Sequence, residues 1–582
     1  MKYKVVTFWT MIWGCLFAFL QIRYQYHFYY LEQSQLFLNT KAYMMDKLTQ
    51  VGGVADGLSE FLVQFFIHPY VGATIVSTLL VGVGILTMKI LKRVAPHSHL
   101  FIGFILPVLT LLYMHLDASY RVQGTISYLM MLILLYGYMI VSNFRYRLII
   151  GIVFTPILFG FGGSIAVLFA LMVFLYEWMQ KTSGWYYTLI GITEVLLLGV
   201  LSVYGGWLGD FRFSLAPDLY YHPKLYPPNV IYYSWICLPM ILLIVYLLNK
   251  RSKSLKKSMK IVGYFLQWGI IGILFLWGTS KYGDLKTLKI KELDYYARTE
   301  QWDKTIEACR GKLTNYLYVC HLNMALANQG KLLDEMFHYN QMGLEGLIIP
   351  WNKQENVSCL LSDIYFTMGA IASSQEMAFE AYVSAMGEGN PRMLKRLIQT
   401  NLIFGAYPVA EKYMEVLGNT WEYSTWADSQ RRFLYQDEEV SNDVLLGGRK
   451  QMLPLQNTLT VLKELPSELE QLLEHGGGNR ATLQYLGAIY LLTKNVEGLK
   501  RVVEKFYGTD ILPVLPIHFQ EALIVLSEKD PGYWKRFNLS ESVVARFSEY
   551  KKQVLANRTN SGVAGLLNRA YGNTYWFYYM FK

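Results

Sequence analysis

Nine long apolar runs crowd the first 280 residues of this 582-residue chain, at 5–21, 70–88, 99–116, 125–142, 148–160, 163–179, 185–203, 230–249 and 261–279. Hydrocarbon offers a backbone no hydrogen-bond partner, so runs of this kind are read as membrane-spanning helices. Residues 281–582 carry the mixed charge of a water-soluble domain, and the boundary falls near Ser280. The expected fold is all-α: a polytopic transmembrane helix bundle over 1–280, then a soluble helical tail over 281–582. The first run follows Lys2 and Lys4 and has no small-x-small cleavage site, which makes it a retained anchor.

The stretch 148–179 is interrupted at Gly160-Phe161-Gly162-Gly163, with Pro156 inside its first part. Two thin spans or one re-entrant hairpin would both return the chain to the side it left. A single long span would instead carry Lys250, Arg251, Lys253, Lys256, Lys257 and Lys260 to the face poor in basic residues, against the positive-inside bias. With the hairpin, those six join Lys2, Lys4, Lys89, Lys92, Arg93, Arg145, Arg147 and Lys181 on one face, which is thereby cytoplasmic. An odd number of crossings then places 281–582 outside, periplasmic or extracellular, in a protein integral to the cytoplasmic (inner) membrane.

The net charge of +10 is accounted for largely by these flanking residues. No basic stripe with interleaved aromatics is present, which excludes nucleic acid as a partner. The five cysteines form no CxxC pair, and packing is their expected role; Cys309 and Cys320 are the two that adjacent helices would bring together in an oxidising compartment.

Three outer loops carry the polar chemistry. Loop 22–69 opens with Arg23-Tyr24-Gln25-Tyr26-His27-Phe28-Tyr29-Tyr30, read as an aromatic belt at the water interface, and continues to Glu32 and Gln33. Further on, Leu58, Phe61, Leu62, Phe65 and Phe66 recur at helical spacing behind Asp56 as N-cap, with Ser59, Glu60 and Gln64 off the apolar stripe. That pattern predicts a helix lying flat on the membrane surface. The second loop carries His115, Asp117 and Arg121, and the loop 204–229 carries Asp210, Arg212, Asp218, His222 and Lys224.

In the tail, small and aromatic residues recur at the offsets of stacked helical hairpins. Gly405-Ala406-Tyr407-Pro408-Val409-Ala410 follows Leu397; Ala378, Tyr382 and Ala385 precede Pro391; Leu486-Gly487 precedes Tyr490. Leu322, Ala325, Leu326 and Gly330, and the stretch Trp302 to Ile306, supply weaker copies. The tail resembles the tetratricopeptide repeat family over about 290–425 and again near 480–527. The resemblance implies an α-solenoid with a protein partner in its groove and no catalysis. The aromatic run 571–579 either docks on the membrane or caps the solenoid.

No P-loop, dinucleotide glycine fingerprint, HExxH or GxSxG occurs. His97 and His99 form an HxH without cysteine or carboxylate neighbours and are read as solvated, with no metal site assigned. The layout of the first 280 residues resembles the type-C glycosyltransferase superfamily: cytoplasmic N-terminus, long first outer loop with a surface helix, and acidic residues there and in the second loop. The chain is also similar to a family of bacterial polytopic membrane proteins with repeat-containing tails, which implies no activity.

The glycosyltransferase resemblance implies transfer from a polyprenyl-phosphate-linked sugar on the outer face, with a divalent metal as the implied cofactor. It puts Glu32 at the first catalytic position, with Asp46 and Asp56 as rivals, and Asp117 at the second. Arg121, Arg212 and His222 are the substrate-binding candidates. The sequence departs from the superfamily in lacking an Asp-Asp, Asp-Glu or DxD near the first span. Two functions follow as expectations: a lipid-linked sugar transferase of the cell envelope with a protein-binding tail, or a non-catalytic membrane scaffold that gathers envelope proteins.

Overall fold

The computed structural model describes residues 2–96, 100–251, 257–453, 465–475, 480–559 and 561–582. His97, His99, Lys253 and Lys256 lie outside the described residues. Among those described the chain is helical, with two isolated bridges and no strand. It forms two compact units, Met1–Lys289 with Asn419–Glu422, and Ile290–Gly418 with Tyr423–Lys582.

The first unit contains α1 (Lys2–Glu32), α2 (Lys41–Thr49), α3 (Gly53–Val63), α4 (Val71–Val94), α5 (Ile102–His115) and α6 (Val122–Ile140). It continues through α7 (Phe144–Gly162), α8 (Ile165–Met179), α9 (Leu189–Tyr204), α10 (Phe211–Leu215), α11 (Val230–Arg251) and α12 (Lys257–Tyr282). Every one of the nine apolar runs is helical. Seven stretches among the described residues are long and apolar enough to cross a membrane; one of them, Phe144–Met179, holds both α7 and α8, and α5 is apolar but shorter. Their outward faces are greasy: Ile149, Val153 and Ile157 on α7 and Ile236, Met240 and Ile244 on α11 are exposed at helical spacing. Apolar stripes of that kind are unfavourable in water and suit a lipid surround, so the unit is a membrane bundle.

The interrupted stretch is a hairpin. Arg147 at the start of α7 forms a bidentate pair with Glu177 near the end of α8, Nε to Oε1 at 2.6 Å and Nη2 to Oε2 at 2.9 Å. One continuous helix would separate residues 30 apart by roughly 45 Å, so the chain turns back between them. The turn is made by Gly163, at φ +83°, where a Cβ would overlap Leu219. The carbonyls freed at the tip find protein donors: Gly162 O accepts from Ser127 Oγ (2.9 Å) and Tyr220 OH (2.6 Å), and Gly160 O accepts from Gly52 N (2.8 Å). Irregular backbone at membrane depth needs such partners.

These bonds gather one set of loops, 33–70, 116–121, the hairpin tip and 205–229, on what is here termed the loop face. On the opposite face Arg147 Nη1 donates to Val141 O and Ser142 O, and Arg93 donates to Met139 O.

One local reading is corrected. The aromatic run after Arg23 is no loop: α1 continues to Glu32 past a kink at Tyr24, and Tyr24, His27, Phe28 and Tyr29 are buried. Tyr24 OH donates to Gly283 O at 2.8 Å, which anchors the kink. Cys309 and Cys320 are buried and share no disulfide; the Cys309 thiol donates to Tyr318 O and the Cys320 thiol to Glu345 O, the packing role expected of them.

In the second unit consecutive helices pack on one another: Glu355–Met368 on Ile371–Ser384, that on Pro391–Ile403, and that on Tyr407–Gly418. Gly369 (φ +88°) and Gly405 (φ +71°) end the first helix of each hairpin in the left-handed conformation. The aromatic run near the end belongs to the core of this unit, with Tyr575, Trp576, Phe577 and Tyr578 all buried.

Candidate functional site

Helices α2 and α3 form a short hairpin on the loop face. Thr40 caps α2 by accepting from Tyr43 N, and the turn 50–52 leads into α3. At Gly53 a Cβ would overlap the Lys47 carbonyl oxygen, so only glycine permits the helices to approach this closely. The expected helix is present, Phe66 of its apolar stripe is fully buried, and its polar stripe faces the protein. Asp56, Ser59, Glu60 and Gln64 are buried, whereas Leu58 is 42% exposed and Phe61, Leu62 and Phe65 are partly so. Asp56 lies inside the first turn of α3; Gly52 is the N-cap.

Along that stripe sits a buried charge cluster. Lys47 Nζ lies 2.6 Å from Asp56 Oδ2 and 2.8 Å from Glu60 Oε2, and Arg121 Nη2 lies 2.8 Å from Asp56 Oδ1. Tyr43 OH donates to Glu60. Two cations meet two anions, so the cluster is neutral as a whole. Burial, then the neighbouring Asp56 charge, pushes the Glu60 carboxyl up. Burial opposes the charge on Lys47, but the two carboxylates outweigh it and hold the ammonium protonated.

The structure places each sequence candidate as follows. Asp56 and Arg121 are joined directly. Asp117 shapes the turn after α5: Oδ1 accepts from Ser119 N (2.9 Å) and Oδ2 from Tyr221 OH (2.7 Å). His222 is tied to the same turn through its N–H to Ser119 O at 2.9 Å, and burial followed by Lys224 and Arg121 depresses its imidazole. Arg212 Nε lies 3.5 Å from Asp218 Oδ1, and its guanidinium stands over Phe213 and Tyr226. Glu32 is buried at the end of α1. Asp46 stays at the surface, accepting from Gln50 Nε2 at 2.5 Å. Among the described residues no group of three or more His, Cys, Asp or Glu side chains is arranged to hold a metal ion.

Lys47, Glu60 and Tyr43 are members of the cluster that were not among the site candidates, although Glu60 stood on the polar stripe read from the sequence. The available signal was their spacing: Tyr43 and Lys47 are one turn apart on α2, as are Asp56 and Glu60 on α3.

The whole chain, residues 1–582, matches the family described as "Family of unknown function (DUF6057)", and the chain belongs to it. That match is to neither the tetratricopeptide nor the type-C glycosyltransferase family. No curated protein matches the chain, and no solved structure does.

Proposed function

We propose that this family member is a non-catalytic membrane scaffold, whose first unit holds the chain in the bilayer while its helical tail gathers partner proteins. The observation that carries this reading is the engagement of the candidate catalytic carboxylates. A general base needs an oxygen directed at its substrate. Both oxygens of Asp56 are held in ion pairs, and both of Asp117 accept hydrogen bonds from their own surroundings. The resemblance of the tail to tetratricopeptide repeats, with consecutive helices packed in order, supports a protein-binding role.

One residue favours the second reading, a lipid-linked sugar transferase acting on a polyprenyl-phosphate-linked donor. Glu60 is fully buried, its carboxyl is pushed up, and its Oε1 has no hydrogen-bond partner among the described residues. A buried carboxyl whose proton affinity is raised suits the role of a general acid.

Full-length variants separate the two. The scaffold reading expects Glu32→Gln, Asp117→Asn and Glu60→Gln to retain the envelope glycans and the proteins that copurify in mild detergent. Loss of an envelope glycan in any of them, with expression and melting unchanged, returns the transferase.

A further inference from the structure

A cleft of about 490 Å³ opens in the second unit between the turn 337–341 and the last three helices, Glu541–Ala556, Val563–Tyr571 and Tyr575–Phe581. Its lining combines three kinds of group. Phe337 and Tyr578 close its floor, 4% and 8% exposed, with ring centroids 5.0 Å apart. That aromatic side is fixed from within: Glu521 accepts from Tyr575 N at 2.7 Å and from His518, Trp576 Nε1 donates to Glu521 O, and Tyr578 OH donates to Leu492 O.

Around the rings stand amides and guanidiniums. Arg546 Nη2 donates to Ala570 O (2.9 Å) and to Asn573 Oδ1 (2.8 Å), which holds both side chains in place. The Nδ2 groups of Asn340 and Asn573, the Asn568 amide and the Arg569 guanidinium have no partner among the described residues, although all four residues line the cleft. No Asp or Glu is among the lining residues.

We propose that this cleft binds an anionic saccharide, a sugar bearing a phosphate or a carboxylate. Amides donate to and accept from the neighbouring hydroxyls of a sugar, and guanidiniums pair with oxyanions in charge-assisted hydrogen bonds. The volume falls within the range of small-molecule sites and exceeds what a bare anion fills. Arginine clusters also recognise acidic peptides, but this cleft is compact and its polar lining is rich in side-chain amides, which suit hydroxyls. The proposal is independent of the scaffold reading, because it concerns direct binding and not partner capture.

The test is calorimetric titration of the full-length protein in mild detergent with glucose 1-phosphate, glucuronate, glucose, inorganic phosphate and a hexaglutamate peptide. At least one charged sugar should bind about tenfold or more tightly than glucose, phosphate or the peptide. Arg569→Gln, at an exposed position, should weaken that binding about tenfold with an unchanged melting temperature, and Asn568→Ala should weaken it less. The proposal is overturned if phosphate alone or the peptide binds as well as the charged sugars, if neither charged sugar binds, or if Arg569→Gln leaves their binding intact.

Discussion

Lys47 holds two carboxylates of the following helix at once, and Arg121 reaches Asp56 from a different loop. Burying four charges costs solvation that their attraction offsets only while every partner is present, so removing one leaves an uncompensated charge inside the protein. Asp56→Asn is therefore expected to destabilise the first unit by about 3–5 kcal/mol, read as a lower melting temperature in detergent, while the neighbouring Leu58→Ala, on the exposed face, should stay within roughly 0.5 kcal/mol. The reverse ranking would mean that α3 presents its polar face outward. A second residue-scale expectation concerns Glu355, which accepts from Asn390 Nδ2 at 2.7 Å and whose carboxyl burial raises from 4.5 to about 7. A carboxyl raised by folding favours the fold in its protonated form. Its contribution is complete below about pH 4.5 and is lost as pH rises through about 7. Glu355→Gln should flatten that slope and raise stability above pH 7 by about 3 kcal/mol; an unchanged pH profile of melting would show that Glu355 titrates normally.

At the scale of elements, the α2–α3 hairpin and the α7–α8 hairpin each depend on a glycine that lets backbone meet backbone. Gly52 and Gly53 seat the start of α3 against the end of α2 and against the hairpin tip, where Gly52 N donates to Gly160 O. Because the obstacle at Gly53 is the Lys47 carbonyl and not a movable side chain, Gly53→Ala should cost at least about 1–3 kcal/mol. Gly206, around which a Cβ meets nothing within 4 Å, lies at φ +77°, so Gly206→Ala tests backbone strain alone and should cost less. Thermal melts of the two variants compare them; equal effects would remove close approach as the reason for glycine at 53. The Arg147–Glu177 pair shows the complementary case, a charged pair fully furnished with partners, since Tyr138 OH and Thr182 Oγ1 also donate to Glu177.

For the whole molecule, the division of loops into two faces yields a labelling experiment. Gly209 lies in the loop-face segment 205–229 and Arg145 on the opposite face, and both positions are exposed. With the basic face cytoplasmic, an impermeant thiol reagent should modify Gly209→Cys in intact cells and Arg145→Cys only after permeabilisation. Modification of Arg145→Cys alone in intact cells would invert the orientation.

Apolar run length and the spacing of basic residues are local, additive properties, so the nine helical segments, the return of the chain at Gly160-Phe161-Gly162-Gly163 and the helical character of the tail were all legible in the sequence. The inward face of α3 was not. Periodicity separates its polar stripe from its apolar stripe but carries no sign, because water and lipid call for opposite faces outward. Only the packing of α3 on α6 and α7 turns Asp56 and Glu60 toward Lys47. Likewise Arg121, 65 positions from Asp56, became its partner through loop convergence that no spacing encodes. The helices follow from composition along the chain; which charges meet is decided by the three-dimensional path between them.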